Sequence, residues 1–228
     1  MLDRLRTFLG AGSPSASYGG SSTSRSRARS APLPEPYTRS SNGLDQFFSS
    51  LRDRSGLNIL DFAGASQANV TYITSMGHRL ASEDFMRALE KTFGERDLLV
   101  NQSNPQLVDE FLQENVNFLP DGFDGALVWD SLQFLSPHVL QITVDRLFDA
   151  LRPGSYLLAL FHADEKARQI PLFGYRIADH RSLLLTPRGE RPQGQFFNNR
   201  ALEKLFQRYS SVKFFLTRDS LREVLVKR

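Results

Sequence analysis

Leu57-Asn58-Ile59-Leu60-Asp61-Phe62-Ala63-Gly64-Ala65-Ser66 is the stretch whose reading decides the fold. Its first six residues are mostly apolar and carry one acid near the end, the pattern of a buried strand. Four small residues follow and suit a tight turn. Asn69, Val70, Tyr72 and Ile73 then continue at helical spacing, with Gly77 placed to end the helix. A strand, a short turn and a helix in that order form the first part of a βαβ unit. The next segment, His78 to Ser82, reads as a short strand ended by Glu83-Asp84, and Phe85, Leu89 and Phe93 mark one face of another helix stopped by Gly94.

Upstream, Ser41 or Asn42 caps a helix carrying Leu44, Phe47, Phe48 and Leu51, which Gly56 closes. Downstream, residues 95–104 give no clear element. Asn104-Pro105 opens a helix through Leu107, Val108, Phe111 and Leu112. Val116 to Leu119, the stretch available for a third strand, is short and sits close to the next strand. Phe123 to Trp129 reads as a strand, Ser136-Pro137 starts a helix that reaches Leu151, and Arg152-Pro153-Gly154 turns sharply into the apolar strand Tyr156 to Phe161. Strands this apolar are usually covered on both faces, as in parallel sheets. Residues 162–197 read as loops with at most a hairpin. Asn198 or Asn199 then caps a helix through Leu202, Leu205 and Phe206. Val212 to Leu216 and Leu221 to Val226 read as a closing antiparallel pair. The alternation of strand and helix predicts an α/β fold: a doubly wound, Rossmann-like, mostly parallel sheet with a C-terminal antiparallel hairpin.

The chain has 228 residues, 18 of them Phe, enough for one domain with a substantial core. It contains no cysteine, which excludes disulfides, thiol nucleophiles and Cys-based zinc sites. His78, His138, His162 and His180 have no metal-ligand spacing, so no metal is expected. No stretch approaches the length of a membrane-spanning helix, and a cytoplasmic location is expected. Six arginines against Asp3 and Glu35 give residues 1–43 a charge of +4; the whole chain carries +3, so the remainder is −1. The domain therefore shows no basic surface for nucleic acid. Residues 1–43 read as a disordered Arg/Ser-rich tail ahead of a domain at 44–228, because the tail has little to bury. The tail reads as a solvated linker; alternatives are a tether in which Ser24 to Ser30 meets an anionic partner, nucleic acid or membrane, and a targeting peptide.

The order of these pieces resembles class I S-adenosylmethionine-dependent methyltransferases over about residues 44–228. The resemblance lies in the strand and small turn at Asp61 to Ser66, and in Glu83-Asp84, which begins 22 residues after Asp61. It continues in Phe123-Asp124-Gly125-Ala126-Leu127-Val128-Trp129-Asp130 and, most specifically, in Leu151-Arg152-Pro153-Gly154-Ser155-Tyr156-Leu157-Leu158. It implies S-adenosylmethionine as cofactor, with Asp61, Ala63, Gly64, Ala65 and Ser66 at the turn. Glu83 would accept the ribose hydroxyls beside Asp84, which also suits a helix cap, and Trp129 and Asp130 would lie beside the methionine end. The chain departs from the family where glycines are usual: Ala63, Ala65 and Gln67 stand there, and Gly64 falls between.

His162, after the fifth family strand, is the one candidate general base. Tyr175, Arg176, Asn198 and Asn199 are candidates for lining an acceptor region. The implied function is methyl transfer to a small or medium acceptor that the sequence does not identify. A non-catalytic methyltransferase-like scaffold that binds a partner is the alternative, resting on the missing glycines. An RNA-associated protein and a dehydrogenase fit the residues less well.

Overall fold

A computed structural model describes residues 34–164, 167–215, 217 and 220–228. The segments 1–9 and 24–30, to which the sequence assigns amphipathic and anion-binding character, lie outside the described residues.

The large sheet has six strands. β2 (Asn58–Asp61), β3 (Arg79–Ser82), β4 (Phe123–Trp129) and β5 (Leu151–His162) run parallel, and β9 (Leu221–Lys227) pairs antiparallel with both β5 and β8 (Ser211–Phe215). The spatial order is β3-β2-β4-β5-β9-β8. This is the expected parallel sheet with its reversed closing hairpin. Helices α1 (Asn42–Leu51), α2 (Gln67–Ser75), α3 (Phe85–Phe93), α4 (Leu98–Asn101), α5 (Pro105–Asn115), α6 (Pro137–Ala150) and α7 (Asn199–Leu205) join the strands. Several begin as their sequences dictate: the side chains of Ser41, Ser66, Asn104 and Asn198 accept the free amides of the first turn. β4 is buried along its whole length, and its apolar run follows from cover on both faces. Gly125 is required there because a Cβ would stand 2.8 Å from Phe47 Cζ, so α1 packs directly on the backbone of β4.

Three features differ from the sequence reading. Residues 116–119 form no strand; Val116 and Phe118 instead pack against the core, and β3 is left as the sheet edge. The turn at Arg152-Pro153-Gly154 does not precede β5 but interrupts its register against β4, between the pairs Phe123–Leu151 and Gly125–Tyr156. The third difference is the largest. Residues 162–197 contain two eleven-residue strands, β6 (Gln169–Asp179) and β7 (Ser182–Pro192). With β1 (Tyr37–Ser40) they form a second, antiparallel sheet in the order β1-β7-β6. β1 lies inside the segment that the sequence assigned to the tail, so ordered structure begins ahead of residue 44.

A buried ion pair fixes β1 to the large sheet. Arg39 Nη2 of β1 donates to Glu223 Oε1 of β9 at 2.8 Å, and Gly43 N donates to Glu223 Oε2 at 2.6 Å. The two side chains are 5% and 0% exposed. Burying both charges is made tolerable by their meeting each other and by the backbone donor that Glu223 gains.

Candidate functional site

Open α/β sheets bind ligands outside the carboxyl ends of their strands. At that edge β2 ends in Asp61, fully buried. Its carboxylate accepts three hydrogen bonds: from Ala63 N at 3.0 Å, from Asn69 Nδ2 at 2.8 Å and from Trp129 Nε1 at 2.6 Å. Burial raises its pKa, and the three donors pull against that. Trp129, the last residue of β4, has φ +49, a left-handed conformation uncommon for a bulky side chain. It places the indole beneath the β6–β7 hairpin, where Tyr175 stacks on it with centroids 5.1 Å apart and planes within 6°. Asn69, buried on α2, completes the cluster. Its Oδ1 accepts Ile177 N of β6 at 2.8 Å while its amide nitrogen binds Asp61.

Asp130 follows Trp129 and is 2% exposed. Burial pushes its carboxyl from 3.8 to about 7, against the opposing pull of the Tyr175 hydroxyl, backbone amides and Arg188. The Tyr175 hydroxyl is raised well above its ordinary value by its own burial and then by Asp130. The two groups are neighbours, yet Asp130 Oδ2 and Tyr175 Oη form no aligned hydrogen bond.

A cleft of about 500 Å³ lies outside this sealed cluster. One wall is the turn and the start of α2, residues 63–68, together with Asp84; the other is Gly174, Tyr175, Arg176, Thr186 and Arg188 of the hairpin. Gly64 has φ +79, and its N–H donates to Glu83 O at 3.1 Å. Ala63 and Asp84 form an isolated antiparallel bridge, so the turns after β2 and β3 are joined. Asp84 caps α3 through Oδ1, which accepts Arg87 N at 3.1 Å.

The residues that the sequence grouped at one cofactor site therefore divide. Ala63, Gly64, Ala65, Ser66 and Asp84 line the cleft. Glu83 does not line it; its side chain is exposed and its carbonyl pairs with Gly64. Asp61, Trp129 and Asp130 are sealed under the hairpin. His162 lies outside the cleft, with its backbone N–H held by Gln133 Oε1 at 2.8 Å. Of the acceptor-region candidates, Tyr175 and Arg176 line the cleft, whereas Asn198 caps α7 and Asn199 is its first residue. Sequence reasoning missed Asn69 as a hub and Arg188 as a wall. The signal for Asn69 was its place three residues after the cap Ser66; Arg188 had none, because the hairpin allowed within 162–197 had no assigned strands.

Trp129 is the sole tryptophan, so its emission reports on the hairpin. The wild-type indole is expected to resist quenching by acrylamide, and Tyr175→Ala, which removes the stacked ring, is expected to open it to the quencher and shift emission to longer wavelength. Equal quenching in the two proteins would show that the hairpin does not shield Trp129.

No family model and no curated protein matches the chain. Solved structures similar to it include the 1,6-didemethyltoxoflavin N1-methyltransferase of Burkholderia thailandensis with bound 1,6-didemethyltoxoflavin and S-adenosylhomocysteine. That structure is 15% identical, has a TM-score of 0.45 and covers 82% of this chain and 76% of its own. Others are the N-methyltransferase NodS of Bradyrhizobium japonicum (14% identity, TM-score 0.44, 81% and 93% covered) and a SAM-dependent methyltransferase of Methanosarcina mazei (14%, 0.43, 77% and 93%). At these identities and TM-scores each is a likeness of chain path alone; by its own strand order the chain is an α/β protein with a six-stranded, mostly parallel sheet.

Proposed function

We propose that the chain is an S-adenosylmethionine-dependent methyltransferase acting on a small-molecule acceptor. The observation that supports this best is the cleft itself. It lies at the carboxyl edge of a parallel sheet with a reversed last strand, with a turn of small residues and the acid that follows the adjacent strand along one wall and the hairpin along the other. Its volume falls within the range of small-ligand sites. Small side chains at residues 63–66 allow close approach to the backbone, and Asp84 has a carboxylate oxygen beyond the one that caps α3, available to a diol. The bound cofactor would supply an electrophilic methyl group. The chain's own part is to hold and align the two partners, with the hairpin covering the edge against water; alignment alone lowers barriers substantially. No general base is assigned, since His162 lies outside the cleft.

A second reading, a methyltransferase-like scaffold without catalysis, is favoured by one observation. The ground expected for the methionine end is filled by Asp61, Trp129 and Tyr175, and the Gly64 N–H is already bonded to Glu83 O. Calorimetric titration with S-adenosylmethionine and S-adenosylhomocysteine separates the two. Under the enzyme reading, binding is saturable, and Asp84→Asn, which retains a helix-capping side chain, weakens it about tenfold. Absence of binding up to about 1 mM in a folded protein would leave the scaffold reading.

A further inference from the structure

We infer that the cleft selects a ligand carrying an anionic group, a carboxylate or a phosphate, held by the hairpin arginines Arg176 and Arg188. This deepens the proposed function by naming the chemistry of the ligand at the same site, and it rests on the cleft being that site.

The argument begins with strand geometry. Opposite the step from Leu172 to Phe173 the register skips Arg188, the extra residue of a bulge on β7, and on β6 Phe173, Tyr175 and Ile177 face inward while Gly174 and Arg176 face outward. Across the hairpin Gly174 pairs with Thr186 and Arg176 with Leu184, which sets Arg188 near the other end of the same wall. Gly174 lies beside Arg188 on this wall: a Cβ there would touch Arg188 Cδ at 3.5 Å, an ordinary contact distance. Both arginines line the cleft and neither forms a salt bridge among the described residues, although Arg188 stands near enough to the buried Asp130 to favour its charged form. The contrast is with Arg191 on the same hairpin, which binds Glu90 at 2.8 Å and Glu95 at 2.6 Å. The cleft has one acid, Asp84, already engaged in capping α3, so the lining carries more positive than negative charge. The first turn of α2 on the opposite wall contains no acid, and its positive end adds to the same field. Arginine pairs recognise planar or tetrahedral anions through charge-assisted hydrogen bonds, which are the strong ones.

The anion has two sources: the amino-acid carboxylate of a bound nucleoside cofactor, or an anionic group on a separate acceptor. The test uses three probes on the full chain and on Arg176→Ala/Arg188→Ala: S-adenosylhomocysteine, 5′-methylthioadenosine, which lacks the carboxylate, and pyrophosphate. Both arginines are exposed, so the double variant is expected to keep the wild-type melting temperature. The expected result is a loss of at least about tenfold in affinity for an anionic probe, with methylthioadenosine unchanged. If the loss falls on S-adenosylhomocysteine, the cofactor is the source; if only on pyrophosphate, the acceptor is. Arginine-dependent pyrophosphate binding with no nucleoside binding would uphold the anion site and reject the methyltransferase reading. Wild-type affinities for both anions in the double variant, or wild-type protein that binds methylthioadenosine and neither anion, would overturn the inference. Binding of no probe at all would overturn both.

Discussion

Glu223→Ala is expected to lower the unfolding free energy by about 3–5 kcal/mol, the cost typical of removing one partner from a buried pair. Glu223 is fully buried, and its carboxylate takes Arg39 Nη2 on one oxygen and Gly43 N on the other. The substitution leaves the Arg39 cation buried without that carboxylate and takes the acceptor from the amide near the start of α1. The pair itself need not add stability, since desolvating two charges offsets much of their attraction. Replacing both, Arg39→Met with Glu223→Leu, is therefore expected to recover most of the loss. Urea unfolding of the two single variants and the double gives the coupling directly. A Glu223→Ala protein within about 1 kcal/mol of wild type would show that β1 is not locked to β9 by this contact.

Asp130 is expected to make the domain less stable as pH rises from about 4 to about 7. Its carboxyl titrates near 3.8 in the unfolded chain and near 7 in the fold, because burial beside Tyr175 penalises the charge. Between those values the folded protein holds a proton that the unfolded chain has released. Stability therefore declines as pH rises through the window and levels off above the folded pKa, by about 4 kcal/mol from this group alone. Asp130→Asn keeps the shape and removes the charge. Its stability relative to wild type is expected to climb by about that amount between pH 4 and pH 8. Asp61, also raised by burial, is common to both proteins and drops out of the difference. A difference that stays flat with pH would mean that Asp130 is solvated and that the hairpin does not seal it. The same experiment bears on function: if the carboxylate forms at neutral pH under Tyr175, the hairpin that covers the edge is held less firmly there.

The sequence by itself determined the large sheet. Its parallel strands are short apolar runs bounded by turns, and Ser41, Ser66, Asn104 and Asn198 mark helix starts through bonds to amides within three residues. Those signals are local, and local patterns survive in a linear reading. The small residues 63–66 and Asp84 were legible as a turn and a cap for the same reason, and they line the cleft. What only the tertiary structure decided involves partners far apart. Arg39 meets Glu223 across 184 positions, and Trp129 meets Asp61 across 68. The hairpin expected within 162–197 could not be given strand bounds because β6 and β7 carry Gly174, Pro187 and Gly189, residue types that favour turns, and the bulge at Arg188 breaks the strict alternation that identifies a strand. An acid at a strand end looks the same in sequence whether it faces a ligand or its own tryptophan. Which it does depends on where the hairpin lies, and that is fixed by packing across the whole chain.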